Sequence, residues 1–248
     1  MFVPIHDDNP LKRIKFQYVT LFLVALNVAV FVFEQLVVDD AMVASFGVVP
    51  RELLHARLAG GHVPSVNQAL PIPERDTLFT YMFFHGDVLH IFGNMLFLWV
   101  FGDNVEDAMG HFRFLVFYIA CGVIAGLTHA VMQPASDIPL IGASGAVAGV
   151  IAAYLMLHPR IRVWVLAMKV IPLRIPAYFA LGAWILTQLV MVLVQSLMQK
   201  GAPPADYVAW WAHIGGLLAG AVLVVFLKRP NVPLFDRGAT LSSAEKQA

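Results

Sequence analysis

Four polar side chains stand inside or beside long apolar runs of this 248-residue chain: His90, Asn94, Ser144 and His213. A serine hydroxyl next to an imidazole can act as a nucleophile, with the ring taking its proton. An asparagine amide and a second imidazole are hydrogen-bonding groups. Together these are reactive or hydrogen-bonding side chains in surroundings where such groups are costly. Each also has an ordinary explanation. A serine in an apolar helix commonly bonds its own backbone. A buried histidine is commonly a satisfied structural residue, and an asparagine can tie one helix to another. Only a shared location favours chemistry, so the elements that carry these residues decide between the readings.

Composition puts those elements in a bilayer. The chain is 59% hydrophobic and 13% charged, where soluble domains run near ~45–50% and ~25%. Six stretches approach the roughly 20 apolar residues that a transmembrane helix needs: Tyr18–Val38, Tyr81–Phe101, Phe114–Met132, Leu140–Leu157, Ala177–Met198 and Tyr207–Leu227. The expected fold is therefore all-α, a polytopic bundle of six membrane helices over residues 18–228. A polar segment, 1–17, precedes it and a tail, 229–248, expected to be disordered, follows it. The 39–80 segment holds Pro50, Gly60, Gly61, Pro64, Pro71 and Pro73 and reads as a long loop with short helical pieces. Met1–Pro10 lacks the basic and apolar regions of a cleavable signal, so the first run reads as a retained helix. Zero net charge gives no reason to expect nucleic-acid binding, and one cysteine, Cys121, cannot form an internal disulfide.

Lysine and arginine orient the bundle. With the N-terminus in the cytoplasm, the outer segments carry only Arg51, Arg57, Arg75 and Lys200 of the 16 basic residues. Both ends then lie on the cytoplasmic side, which requires an even number of spans. In this topology the second, fourth and sixth helices all run inward. His90 and Asn94, Ser144 and His213 fall near their outer ends, in one layer below the surface. Buried polar groups at that depth face a cavity or one another. Small residues recur at four-residue spacing: Ser144, Ala148 and Ala152; Gly145, Gly149 and Ala153; Gly216 and Gly220. Such faces let helices approach closely, enough to bring Ser144 to His213.

Gly142-Ala143-Ser144-Gly145, Ala212-His213-Ile214-Gly215-Gly216 and His90-Ile91-Phe92-Gly93-Asn94 resemble three signature segments of the rhomboid family, in the family's order. Phe101–Gly110 and Val48-Val49-Pro50 resemble it too, and the resemblance runs from Tyr18 to Leu227. It implies an intramembrane serine endopeptidase with Ser144 as nucleophile and His213 as general base. It also implies an oxyanion site made by the side chains of His90 and Asn94 and the backbone N–H of Ser144. The substrates would be transmembrane segments of other proteins, reached through the lipid bilayer, with the fifth helix as the gate. Cleavage would be helped by helix-breaking residues. No cofactor or metal is implied, and a bacterial plasma membrane is the expected location. The chain departs from the family pattern where some members place an aromatic ring one turn after the serine. Here that residue is Ala148, so what orients His213 is an open question. Asp206, seven residues before His213, is expected to cap the sixth helix instead, and His85 reads as structural.

Other classes fit less of the chain. No His-Glu-x-x-His is present for a metalloprotease. A haem carrier using His90, His129 and His213 would leave Ser144 and the glycine pattern unexplained, and a Soret band would reveal it. A binding protein built on the same fold would be expected to lack the serine or the histidine, and both are present.

Overall fold

A chain with this much apolar sequence must satisfy its backbone internally, and helices do so within one segment. The computed structural model describes residues 2–37, 40–59, 70, 72–167, 170–198 and 209–236. Its helices, in chain order, are α1 (Tyr18–Val37), α2 (Asp40–Phe46), α3 (Pro50–Ala59), α4 (Glu74–Thr80), α5 (Val88–Met109), α6 (His111–Met132), α7 (Ser144–Leu157), α8 (Ala177–Met198) and α9 (Trp210–Leu227). The polytopic helical architecture expected from composition is what forms. Five helices, α1, α5, α6, α8 and α9, are long and apolar enough to cross a membrane. The fourth of the expected spans is shorter: α7 has 14 residues and measures about 21 Å, less than the roughly 30 Å of a hydrocarbon core.

The second expected span is in fact two elements. A 3₁₀ turn at Tyr81–Phe83 comes first, and α5 begins only at Val88. Asp87 makes the break, because its extended backbone leaves the carboxylate free to accept the His90 N–H at 2.9 Å. The sixth helix likewise starts at Trp210. Its N-cap position is Ala209, so the cap expected of Asp206, which lies outside the described residues, is not at the helix start.

A small sheet adds to the helices. β1 (Phe2–Asp7), β2 (Arg162–Ala167) and β3 (Ile171–Pro176) pair antiparallel in the order β1-β2-β3. Val163 and Val165 of β2 are fully buried and alternate with exposed neighbours, the period of a half-buried strand. The prolines Pro4, Pro172 and Pro176 all fall on the two edge strands, where a missing N–H costs least. The tail also departs from expectation at its start. Arg229 N–H bonds Ala108, while Phe235 and Asp236 bond the last turn of α7 at Met156 and Leu157. The Arg229 side chain packs against Gly110, whose φ of 87° ends α5. Residues 237–248 lie outside the described part.

Polar residues fasten the segment before α1. Glu106, fully buried, accepts from the N–H groups of Val19 and Thr20 and from the Thr20 hydroxyl, so it caps the start of α1. Asp107 accepts from the N–H groups of Arg13 and Ile14. Asp7 accepts from Tyr154 and from Asn104 at 3.1 Å. Burial pushes the Asp7 carboxyl up from its ordinary 3.8 to about 6, against the opposing hydrogen bond from Tyr154.

At the centre, α7 is enclosed by α5, α6 and α9. Every residue from Gly145 to Tyr154 is buried. The α7–α9 contact is backbone to backbone: a Cβ at Gly216 would lie 1.9 Å from the Gly145 carbonyl oxygen, and one at Gly220 2.2 Å from that of Gly149. On the other side, a Cβ at Gly145 would lie 2.6 Å from the Ala125 side chain and one at Gly149 2.5 Å from the Cys121 sulfur of α6.

Two outcomes follow from this packing. Gly216→Ala and Gly220→Ala each lower unfolding stability by at least the upper end of the about 1–3 kcal/mol typical of overpacking. Gly182→Ala is the control: among the described residues, nothing beyond its chain neighbours and its own helix backbone lies within 4 Å of its Cβ position, and thermal denaturation in detergent places it within about 0.5 kcal/mol of wild type. Equal tolerance at Gly216 and Gly182 would contradict the close contact. The second outcome concerns Asp7, whose proton is held more tightly in the folded state. Its stabilisation is complete below pH 3.8 and is lost as pH rises through about 6. Wild type minus Asp7→Asn stability should therefore fall by up to about 3 kcal/mol between pH 4 and pH 8. A difference that stays flat or rises contradicts the burial of this carboxyl.

Candidate active site

Three helix N-termini converge on one spot. Ser144 is the first residue of α7, His90 the third of α5 and His213 the fourth of α9. Ser144 thus starts its helix rather than lying a turn inside it. The dipole of each terminus favours negative charge there.

The close α7–α9 approach sets the central contact. Ser144 precedes Gly145, and His213 lies one turn before Gly216. With the glycines in contact, the Ser144 Oγ–H donates to His213 Nε2 at 2.8 Å. Ser144 is half-buried and His213 is buried. The other ring nitrogen, Nδ1, donates to Gln188 Oε1 on α8 at 2.7 Å. Trp184 tilts against the imidazole with centroids 5.9 Å apart, and Trp210 meets it edge-on at 5.8 Å. Trp184 also packs on the Ala148, Ala152 and Leu217 cluster. The small Ala148 therefore leaves room for an aromatic ring supplied by a different helix. Gln188 and Trp184 answer what orients His213, and neither was singled out from sequence as an orienter. The usable signal was an amide, four residues after a tryptophan, among the few polar residues of an apolar helix.

The loop before Ser144 is held from several sides. Gly142 N–H bonds the Tyr81 carbonyl at 2.9 Å, and the Tyr81 hydroxyl donates to Gly122 at 2.7 Å. Leu140 and Val48 exchange both backbone bonds, at 2.8 and 3.0 Å, so the first loop braces this segment. His85 takes the structural part expected of it. Burial, with the nearby His90 adding to it, pushes its pKa down to about 4, which keeps the ring neutral. Neutral Nε2 accepts the Ala143 N–H at 3.4 Å, and the ring stacks edge-on against His90.

His90 and Asn94 share one face of α5 and meet the same loop. At Gly142, φ is 115°, and a Cβ there would come within 2.7 Å of the His90 ring and 3.8 Å of Asn94 Nδ2. Only glycine fits that conformation and that space. Asn94 is 7% exposed, and its Nδ2 has no hydrogen-bond partner among the described residues. A buried amide nitrogen left unsatisfied costs about 1–3 kcal/mol. It is a donor held ready beside Gly142 and Ser144. Chemically, the assembly offers a hydroxyl on a base, an orienter behind the base, and a spare donor at helix N-termini. No group of three or more His, Cys, Asp or Glu residues suited to a metal ion occurs among the described residues.

Comparison with known proteins agrees with this geometry at the level of family. The Rhomboid domain model matches residues 74–230, more than half of the chain. The chain is 29% identical over 159 residues to RHOMBOID-like protein 5 of Arabidopsis thaliana, covering 64% of this chain and 46% of that protein. It is 29% identical over 168 residues to the chloroplastic Rhomboid-like protein 11 of the same plant, covering 66% and 56%. It is 29% identical over 146 residues to the mitochondrial presenilin-associated rhomboid-like protein of Homo sapiens, covering 58% and 36%. The chain spans about half or less of the length of most of these relatives. With apolar helices long enough to cross a bilayer and a domain match across the bundle, this integral membrane protein belongs to the rhomboid family.

Proposed function

We propose that this chain is an intramembrane serine endopeptidase that cuts peptide bonds in or near transmembrane segments of other proteins. The observation that carries the reading is the Ser144 Oγ–His213 Nε2 hydrogen bond at 2.8 Å, at the meeting point of three helix N-termini. His213 takes the hydroxyl proton as Ser144 attacks the scissile carbonyl. It returns that proton to the leaving amine, and the acyl-enzyme is then opened by water through the same steps reversed. The negative charge on the tetrahedral intermediate falls to Asn94 Nδ2, His90 and the Ser144 N–H. These groups are prearranged and lie where little bulk water competes. The reaction needs no cofactor.

The substrate is a membrane helix, because the Ser144 hydroxyl lies among membrane-spanning helices. A stable helix hides its carbonyls, so the cut segment must unwind locally, and glycine or proline near the bond lowers that cost. In this reading α7 also spans, the fourth of six in chain order, and is short because its N-terminus ends at the site. The bias of basic residues supports both termini on the cytoplasmic side. The relatives named above are plant and mitochondrial proteins and give no support to the bacterial plasma membrane expected from sequence. A haem role is disfavoured by the bonds of His213, whose Nε2 lone pair is occupied by the serine hydroxyl.

In liposomes with a membrane-anchored test substrate, purified wild type cleaves within the anchor region. Ser144→Ala and His213→Ala each lower that rate by about 10⁴-fold or more. Near-normal turnover in either variant contradicts the assignment. Asn94→Ala lowers kcat by about 10²–10³-fold with KM little changed, as expected of a donor used only at the transition state. A raised KM at unchanged kcat would make Asn94 a binding residue instead.

A further inference from the structure

The contact between Gln188 and His213 joins the chemistry to a loosely held helix. In the apolar window of α8, 22% of residues are buried, against 50% in α5 and α6 and 44% in α9. The buried residues are Ala177, Ala180, Leu181 and, at mid-helix, Gln188. From Leu189 to Leu197 none is buried. Gln188 is thus the outermost buried anchor of α8, at 3% exposure.

The orientation of its amide follows from its bonds. Gln188 Nε2 donates to the Trp184 carbonyl of its own helix at 3.0 Å, which leaves Oε1 facing His213. An acceptor at 2.7 Å requires the ring proton on Nδ1. Nε2 is then bare and can accept from Ser144. The opposite tautomer would present an N–H to the hydroxyl and could not take its proton.

We propose that Gln188 is a positioning residue that holds His213 in the proton-accepting tautomer, and that it does so only while α8 lies against α9. The proposal rests on reading Ser144 and His213 as nucleophile and base. The neutral amide orients the imidazole without burying a second charge. Because Gln188 is the last buried residue along α8 among the described residues, a swing of the outer half of this helix breaks this bond and releases the ring. Trp184, one turn earlier on the same stripe, loosens with it. An α8 displaced by a passing substrate therefore faces a disarmed base, and reactivity returns when the helix closes.

The test uses the full chain in detergent with ¹⁵N-labelled histidine, the His213 signals being identified by their loss in His213→Gln. Wild type shows the Nδ1–H tautomer. Gln188→Met, similar in size but without an acceptor, shows both tautomers. Labelling by a small fluorophosphonate, which needs no helix to pass α8, falls about a hundred-fold in that variant. Gln188→Glu keeps the Nδ1–H tautomer and moves the acid limb of the labelling profile to higher pH, because a carboxylate favours the imidazolium. If Gln188→Met loses its fold, that shift decides, and an unmoved limb overturns the proposal. Ala180→Phe, which wedges α8 outward at a buried small residue, gives the same tautomer mixture as Gln188→Met. A single Nδ1–H tautomer persisting in Gln188→Met overturns the orienting role, and one persisting in Ala180→Phe overturns its dependence on α8. A wild type that fails to label counts against the protease reading, while the tautomer signals still decide this one.

Discussion

The contact between the backbones of α7 and α9 is the constraint on which the rest of the site depends. Gly216 and Gly220 lie so near the carbonyls of Gly145 and Gly149 that no side chain fits between. Packing of this kind has little help from the hydrophobic effect inside a bilayer, where lipid tails are as apolar as leucine. It depends on dispersion over closely matched surfaces and on weak backbone contacts. The register it imposes sets Ser144 against His213. The opposite face of α7, pressed on Ala125 and Cys121 of α6, prevents the helix from rolling away.

Polar groups complete what close packing begins, and they do so at the two ends of the bundle. At one end Glu106, Asp107 and Asp7 satisfy backbone donors and side-chain hydroxyls of neighbouring segments, so the stretch before α1 and the small sheet are tied to the core. At the other end the pattern is reversed. Where three helix N-termini meet, one buried donor, Asn94 Nδ2, has no partner among the described residues. The first arrangement is spent on stability. The second holds unspent hydrogen-bonding capacity, which is what stabilising a transient negative charge requires.

The legible and illegible parts of the sequence divide along the same physical line. Long apolar runs and small residues at four-residue spacing disclosed the helices and the α7–α9 face, because both are local patterns. His90, Asn94, Ser144 and His213 stood out as polar residues in apolar surroundings. The start of α5 was misplaced because Tyr81–Phe84 is as apolar as the helix that follows, and only the Asp87 cap marks the break. The sheet was passed over although Val163 and Val165 alternate with exposed neighbours, since its partner β1 is more than 150 residues away in sequence. Gln188 and Trp184 were missed as orienters because their role exists only where α8 meets α9. No spacing within α8 states which side chain of another helix it will face.

The claim that Ser144 is a nucleophile activated by His213 is tested most directly by mapping a covalent adduct. Purified protein treated with a fluorophosphonate and digested should carry one phosphonylated peptide, with the modification on Ser144. The adduct should be absent from Ser144→Ala and nearly absent from His213→Ala at equal exposure. Modification of another residue, or an adduct that persists in Ser144→Ala, would contradict the account.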